Sequence, residues 1–294
     1  MRDVPRHLYP FEPHWRDRGQ GIRMHYVDEG QGPPVIMLHG NPSWSLYYRN
    51  LVKALAGQRR CIVPDHVGMG KSDKPGEDAY PYTLQARIDD LTGLVDSLDL
   101  QEPLTLVVHD WGGMIGMAWA VQHPQRVAKL VILNTAAFGL PPGKAFPWQL
   151  ALTRTPLGTL LVRGLNAFSA GATRMAMTRT RMSDELREAY TAPYDSWEER
   201  VATLRFVQDI PLRPGDPGYA IVEETKAKLG LFAQTPAMIG WGGKDFVFDD
   251  HFLAEWKRQL PHAQVVYLAD AGHYVLEDAA EELIPQIQQF VLGG

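Results

Sequence analysis

The sequence predicts an α/β fold in which a mostly parallel β-sheet is flanked by helices and a helical segment is inserted between two strands. Short apolar runs alternate with amphipathic stretches, which is typical of a parallel sheet covered on both faces. Several of these runs are apolar throughout, as expected for strands buried on both sides. The alternation stops between residues 139 and 234, where the spacing is helical, and then resumes.

The elements follow in chain order. Short β-rich runs bounded by turn residues predict strands at 22–27, 35–38, 61–63, 104–108, 129–133, 237–241 and 264–268. Apolar residues at helical spacing predict helices at 46–56, 83–98, 113–122, 250–260 and 280–291. The chain therefore divides into a first core part at 1–138, a helical cap at 139–234 and a second core part at 235–294.

The cap begins at a Pro- and Gly-rich stretch and closes near Thr235-Pro236. Helical spacing within it predicts helices at 145–152, 157–168, 184–189 and 197–208. A helical insertion between two strands is typical of a lid over an active site. Apolar cap side chains are candidates to line a channel for alkyl chains or simply to pack the lid: Trp148, Phe168, Met175, Met177 and Met182.

Composition limits the partners of this chain. Its 294 residues carry 29 Lys and Arg against 34 Asp and Glu, a formal charge of −5, which argues against nucleic acid or an anionic membrane as the main partner. A small molecule is the expected ligand, and the apolar cap residues suit one with alkyl chains. The N-terminus lacks a signal-peptide apolar stretch and no run of 18 apolar residues occurs, so we expect a cytoplasmic protein without a membrane span.

Two motifs only partly resemble ligand sites. The segment 66–72 ends in Gly-Lys-Ser, but the phosphate-loop pattern needs glycine where this chain has Asp65. The run Asp249-Asp250-His251 has no second cluster of suitable spacing for a metal, and Asp249 is expected to cap a helix instead. We therefore expect neither an organic cofactor nor a metal.

The chemistry centres on residues 106–113, Leu-Val-Val-His-Asp-Trp-Gly-Gly, where a buried strand runs into a glycine-flanked turn and a helix. This is the setting of a nucleophile elbow. Its central residue is Asp110, and no Gly-x-Ser-x-Gly occurs in the chain, which disfavours a serine esterase. A carboxylate needs no base before it attacks, so Asp110 can displace a leaving group at an sp³ carbon and form an ester. The alternative is that Asp110 only caps the helix.

Two further residues follow in the order nucleophile, acid, histidine. His273 comes after an Ala-Gly turn beyond the last predicted strand, where it can serve as a general base. Asp245 lies just past a strand end and is suited to orient the imidazole. Asp249, Asp250 and Asp270 remain alternatives for the acid.

Donors for negative charge are predicted beside Asp110. The backbone N–H of Asn41, after the strand at 35–38, is expected to form an oxyanion hole with that of Trp111. Both residues also carry side-chain N–H groups that can hold an anionic leaving group. A turn role for Asn41 and simple packing for Trp111 are the alternatives.

These motifs resemble the aspartate-nucleophile branch of the α/β-hydrolase fold, which includes haloalkane dehalogenases and soluble epoxide hydrolases. The resemblance covers the chain through HGNPSW, DHVGMGKSDKP, VVHDWGGMIG, LNTAAF, WGGKDF and DAGHYVLED. In dehalogenases the matching Asn and Trp bind halide, which implies leaving-group binding by Asn41 and Trp111. Some dehalogenases place the acid after an earlier strand, where this chain has Asn134, and this favours Asp245.

Within that branch, the motif LNTAAF, the cap stretch 194–211 and the motif DFVFDDHFL are most similar to the β-lactone decarboxylases of bacterial long-chain olefin biosynthesis, which were grouped with a third dehalogenase subfamily. The resemblance implies an Asp-His-Asp triad that converts a cis-3,4-dialkyl β-lactone to a cis-alkene and CO2, and an assembly with thiolase-like and β-lactone synthetase enzymes. Haloalkane hydrolysis is the alternative activity. Epoxide hydrolysis assisted by Tyr190 or Tyr194, or a non-catalytic sensor, is less favoured.

For the lactone we expect Asp110 to attack the β-carbon with inversion, followed by anti loss of CO2, so that a cis lactone gives a cis alkene. Attack at the lactone carbonyl is a competing route.

Overall fold

The computed structural model describes residues 1–293, in which eight strands form one sheet in the order β1-β2-β4-β3-β5-β6-β7-β8. The strands are β1 (His14–Gly19), β2 (Ile22–Glu29), β3 (Pro34–Leu38), β4 (Arg60–Pro64), β5 (Leu104–Asp110), β6 (Val127–Thr135), β7 (Ala237–Gly242) and β8 (Gln264–Leu268). The β1–β2 and β2–β4 pairs are antiparallel and the other pairs are parallel. The predicted α/β fold class is therefore confirmed.

The core helices are α1 (Arg49–Leu55), α2 (Leu84–Ser97), α3 (Trp111–Ala120), α10 (Asp250–Gln259), α11 (Val275–Asp278) and α12 (Ala280–Leu292). Between β6 and β7 the chain forms α4 (Trp148–Leu152), α5 (Pro156–Thr159), α6 (Ala167–Met175), α7 (Asp184–Thr191), α8 (Val201–Gln208) and α9 (Tyr219–Lys228). None of the helices in residues 1–293 combines the length and apolarity needed to cross a bilayer.

The seven predicted strands are confirmed, but β1 was not predicted. Its sequence, HWRDRG, is largely polar, and its residues alternate between half-buried and exposed because it lies at the antiparallel edge of the sheet. Pattern analysis detects strands through their apolar residues, so an edge strand of this kind gives a weak signal. Thr83 caps α2 by accepting the Ala86 N–H at 3.3 Å, close to where the sequence placed the start of that helix.

The prediction of one helix over 157–168 is wrong. A π-helical turn, Leu160–Gly164, follows α5. The helix is then interrupted at Asn166, whose φ of 52° is left-handed. The Asn166 side-chain amide donates to the Tyr194 carbonyl at 3.1 Å, which ties this break to the neighbouring cap segment. Helix α9 was not predicted either. The cap boundaries at 139–234 stay a prediction.

Alternate residues along the central strands belong to two separate apolar clusters, as expected when both faces of a sheet are covered. In β3, for example, Val35 and Met37 belong to one cluster, and Ile36 and Leu38 belong to the other. The carboxyl ends of β3, β5, β7 and β8 then meet at one edge, and each is followed by a segment that carries a predicted site residue. This edge is where ligands bind in open α/β sheets.

Candidate active site

Asp110 lies at the sharp turn between β5 and α3. Its φ of 51° and ψ of −125° are uncommon for a residue with a side chain, as expected for a strained elbow. A Cβ on Gly40 would overlap the Asp110 carboxylate, and one on Gly112 would overlap the Leu38 carbonyl, so these glycines permit the close approach. The Thr135 hydroxyl donates to the Asp110 carbonyl and braces the turn from β6.

The Asp110 carboxylate points into a cavity rather than along the helix. Its Oδ1 accepts the Asn41 backbone N–H at 2.7 Å, and its Oδ2 lies 3.7 Å from His273 Nε2. Burial raises the pKa of Asp110 above its ordinary value, while the positive charge of His273 and the N–H groups of Asn41 and Trp111 oppose that rise. Asp110 is therefore a buried carboxylate with donors on two sides.

His273 lies between two carboxylates. Its Nδ1 is 2.7 Å from Asp245 Oδ2, and the other oxygen of Asp245 accepts the Val247 N–H at 2.8 Å. Burial by itself would lower the pKa of His273, but the charge and hydrogen bond of Asp245, with the charge of Asp110, raise it overall. Asp245 thus holds the ring so that Nε2 faces Asp110.

The three alternative acids are engaged elsewhere. Asp249 caps α10 by accepting the His251 N–H at 3.1 Å, as predicted. Asp250 accepts the Tyr267 hydroxyl at 3.0 Å, and Asp270 pairs with Arg179. Only Asp245, of these four candidates, contacts the His273 ring in the described residues.

Asn134 does not contact the imidazole either. Its side-chain amide donates to the Gly242 carbonyl at 3.0 Å, and its amide oxygen accepts the Gly242 N–H at 2.8 Å. These two bonds join the ends of β6 and β7. Asn134 therefore fixes the strand end from which the Asp245 loop begins.

Asn41 connects the core to the cap. While its backbone N–H holds Asp110, its side-chain Nδ2 donates to the Thr203 carbonyl of α8 at 2.9 Å. Its Oδ1 is buried without a hydrogen-bond partner among residues 1–293. Trp111 packs edge-on against Phe206 of the same cap helix, with ring centroids 5.2 Å apart. Both predicted donors therefore face the core–cap boundary.

A cavity of about 280 Å³ extends from these residues into the cap. In the described part of the chain its polar wall residues are Asn41, Asp110, Trp111, Gln149, Thr153 and His273. The rest of the wall is apolar and includes Met114, Phe138, Leu161, Phe168, Val207 and Phe248. A site of this kind suits a ligand with a small polar group and hydrocarbon substituents.

The predicted cap liners divide into two groups. Phe168 and Met175 line the cavity. By contrast, Trp148 is 70% exposed, Met182 is buried in the core cluster beneath the cap, and Met177 packs against that cluster. Met177 and Met182 therefore follow the packing alternative, whereas Trp148 neither lines the cavity nor packs in the core, because helical spacing alone does not tell which face of a short cap helix turns inward.

The tyrosines required for epoxide opening do not reach this cavity. The Tyr190 hydroxyl donates to Glu277 at 2.5 Å, and the Tyr194 hydroxyl donates to the Ser43 carbonyl at 3.4 Å. Neither residue lines the cavity wall within residues 1–293. The arrangement therefore disfavours epoxide hydrolysis.

Sequence reasoning missed two buried groups that support the site. Asp65 accepts the His25 ring N–H at 2.8 Å and the backbone N–H groups of Ser45 and Lys71 at 2.6 and 2.9 Å. It joins the segment after β3 to the segment after β4. The sequence signal for this group was Asp65 itself, a carboxylate in the position where a phosphate loop has glycine. In the structure this carboxylate lies so close to Gly70 that a Cβ there would overlap it.

The second missed group is an ion pair between core and cap. Arg87 of α2 contacts Asp209 at 2.8 Å, and its guanidinium lies 3.8 Å from the Phe206 ring centroid and 5.2 Å from that of Trp111. The Arg87 side chain is fully buried. No local motif marks such a pair, because its partners lie in different parts of the chain.

Comparison with known proteins agrees with this arrangement. Residues 33–280 match the family model described as alpha/beta hydrolase fold. A protein named cis-3-alkyl-4-alkyloxetan-2-one decarboxylase from Shewanella oneidensis is 56% identical over 97% of this chain and 89% of its own length. A protein of the same name from Xanthomonas campestris is 52% identical over 96% of this chain and 97% of its own length. An oxetan-2-one is a β-lactone.

Haloalkane dehalogenases are more distant relatives, with curated examples at 31–34% identity. The crystal structure of haloalkane dehalogenase DbeA from Bradyrhizobium elkani matches with a TM-score of 0.86 at 27% identity, covering 96% of this chain and 98% of that one. The chain therefore belongs to the α/β-hydrolase fold family, in the branch that contains these β-lactone decarboxylases and the haloalkane dehalogenases.

Proposed function

We propose that this protein converts a cis-3-alkyl-4-alkyloxetan-2-one to a cis-alkene and CO2, with Asp110 as nucleophile. The observation that carries the proposal is the Asp110 carboxylate, which faces a largely apolar cavity beside His273 in a chain 56% identical to a decarboxylase of that name. The strained ring supplies an electrophilic sp³ carbon and an anionic leaving group. Two alkyl substituents match the apolar wall.

In the first step Asp110 Oδ2 attacks the ring carbon that carries the lactone oxygen. That C–O bond breaks with inversion, an ester to Asp110 forms, and the ring opens to a free carboxylate. The Asn41 and Trp111 side chains line the cavity next to Asp110. The Trp111 indole N–H and the Asn41 Nδ2 hydrogen that Thr203 does not accept can hold that carboxylate. Such donors act where negative charge develops.

In the second step the new carboxylate leaves as CO2. Its C–C bond supplies the electrons of the alkene, and the Asp110 ester oxygen departs from the neighbouring carbon on the opposite face. His273, with its raised pKa and its Nε2 near that oxygen, donates a hydrogen bond to the departing carboxylate. The two steps consume neither water nor a proton, and inversion followed by anti elimination keeps the cis geometry.

The orientation of the Asn41 backbone supports attack at this carbon over attack at the carbonyl. Its N–H points at Asp110 Oδ1, with a distance of 2.7 Å. In the ester this donor stabilises the carbonyl oxygen of Asp110 itself. A carbonyl attack would instead require backbone donors aimed at the lactone oxygen.

Haloalkane hydrolysis is the second candidate, because the branch contains dehalogenases of closely similar fold. Asp110 would form the same kind of ester, with Asn41 and Trp111 holding halide. His273 would then remove a proton from water, which hydrolyses the ester. The two activities thus differ in whether the ester is broken by elimination or by water.

The test offers the purified protein a cis-dialkyl β-lactone and 1,2-dibromoethane side by side, following alkene and bromide. We expect cis-alkene from the lactone and none with Asp110→Asn, with Asp96→Asn as the exposed control. Trans-alkene from the cis lactone would refute the inversion mechanism. Bromide release without alkene would establish the dehalogenase activity instead, in which case His273→Ala should accumulate an alkyl adduct visible by intact mass.

We also propose, from the resemblance, that the protein is cytoplasmic and works in an assembly with thiolase-like and β-lactone synthetase enzymes. Residues 139–234 act as the cap in this proposal, and the triad is Asp110, His273 and Asp245. Co-purification of the three enzymes after co-expression tests the assembly. Separate elution at working concentration would argue against it.

A further inference from the structure

The overall negative charge of the chain conceals an uneven distribution. The segment 139–182, here called the basic cap segment, contains six Lys and Arg residues and no Asp or Glu, although the whole chain has a formal charge of −5. Some of these charges are paired, such as Lys144 with Asp249. Arg174 and Arg181 are exposed and have no ion-pair partner in residues 1–293. The segment therefore carries positive charges that no direct ion pair within residues 1–293 neutralises.

The same segment exposes a large share of the apolar surface. Twelve large apolar side chains are exposed in residues 1–293, and six of them lie here. They are Leu140, Trp148, Leu157, Leu160, Leu165 and Met175. The largest exposed fractions, 71% and 70%, belong to Leu165 and Trp148. Half of the exposed large apolar side chains in residues 1–293 therefore lie in one segment of the chain, a concentration that favours an interaction surface there.

The cavity also reaches the surface at this segment. Leu140 and Met175 line the cavity and are 40% and 57% exposed, so each forms part of both the inner wall and the outer surface. Phe246, beyond the cap, shares this property at 42% exposure. A hydrocarbon chain that leaves the cavity between these side chains emerges onto the basic cap segment.

We propose that the basic cap segment docks on the surface of an anionic lipid bilayer, with the cavity mouth turned toward the lipid. Trp and Leu side chains together with Arg and Lys, without acids, are the features of segments that lie in a membrane interface. The negative surface potential of a phospholipid leaflet attracts such a segment. The biological purpose rests on the proposed function, because a dialkyl lactone and a long alkene partition into a bilayer rather than into water.

The experiment measures sedimentation of the 294-residue protein, without substrate, with vesicles of phosphatidylcholine containing increasing phosphatidylglycerol. We expect binding that rises with phosphatidylglycerol and weakens with salt, because exposed charges are screened. The double variant Arg174→Glu/Arg181→Glu should reduce the partition coefficient at least about tenfold. The matched control, Lys257→Glu/Arg258→Glu, changes charge equally on exposed residues of α10 and should stay within about twofold.

Insertion is tested separately with brominated lipids, which quench indole fluorescence on contact. Quenching by anionic vesicles should fall strongly in Trp148→Phe. Equal binding to neutral and anionic vesicles, or an unchanged partition coefficient of the Arg174/Arg181 variant, would overturn the proposal. Concentration-dependent dimerisation lost in that variant would also overturn it, since the face would then contact a second copy.

Decarboxylation in detergent separates this inference from the proposed function. The Arg174→Glu/Arg181→Glu variant should decarboxylate a short-chain lactone at the wild-type rate, because neither arginine lines the cavity. Turnover without vesicle binding would refute the docking surface alone. Vesicle binding without turnover of any β-lactone would refute the proposed function alone.

Discussion

Replacing Asp245 with Asn tests how the site controls its histidine. Both side chains are buried, and the Nδ1–Oδ2 distance of 2.7 Å is that of a hydrogen bond to a charged group. Asn keeps the shape but removes the charge. Hydrogen bonds to charged groups contribute about 1.5–3 kcal/mol. Where the hydrogen bond from His273 to the Asp245 carboxylate stabilises the rate-limiting transition state by this amount, its loss should lower kcat about 10- to 150-fold.

The pH profile of kcat should shift in a defined direction in Asp245→Asn. The charge of Asp245 is a main cause of the raised pKa of His273, so this pKa should fall in Asp245→Asn. In the decarboxylation mechanism the protonated ring assists departure of Asp110, and activity is lost as pH rises through the pKa of His273. The alkaline limb of the profile should therefore move to lower pH in the variant. With a haloalkane, for which the neutral His273 ring acts as the base, the acid limb of the profile should instead move to lower pH.

The assay follows alkene by gas chromatography from a cis-dialkyl β-lactone across the neutral and alkaline range. Asp270→Asn is the matched control, because Asp270 is close in sequence to His273 but its side chain is exposed and pairs with Arg179. Thermal unfolding of both variants checks that the fold is intact. A folded Asp245→Asn protein with kcat within twofold of wild type and an unmoved profile would refute the reasoning.

Three further predictions concern packing around the site. Arg87→Met leaves the buried Asp209 without its ion-pair partner and should lower the free energy of unfolding, measured by urea titration, by about 3–5 kcal/mol. The double variant Arg87→Met/Asp209→Leu should recover most of this stability. Equal stability of the two variants would contradict the prediction. Gly40→Ala should displace the Asp110 carboxylate and reduce kcat about 100-fold while the protein stays folded by circular dichroism. Ala172→Phe narrows the cavity and should raise KM for long-chain lactones more than for short ones, a difference that steady-state kinetics with two chain lengths would reveal.

Local patterns sufficed for much of the fold because the central strands are apolar throughout and separated by amphipathic helices. The elbow at Asp110 was predictable for the same reason, since a buried strand, two glycines and a helix follow one another within a few residues. The cap was harder. Its short helices are interrupted by features such as the left-handed Asn166, whose side chain donates to the distant Tyr194 carbonyl.

The buried supports could not be found from the sequence. Arg87 and Asp209 are both ordinary charged residues until the fold removes them from water and places them together. Asp65 could be recognised only as a departure from a phosphate loop, not as the acceptor for N–H groups from two other segments. Interactions between distant residues depend on tertiary packing, which single-sequence periodicity does not contain.

The sequence by itself determined the fold class, the family resemblance and the order in which a carboxylate, an acid and a histidine follow the strands, because these depend on residue type and local spacing. Only the tertiary structure decided which carboxylate contacts His273, which oxygen of Asp110 remains open to the cavity, and where that cavity meets the surface. Those features are distances of a few ångströms between segments far apart in the chain. They are set when the sheet aligns its strand ends and the cap closes over them.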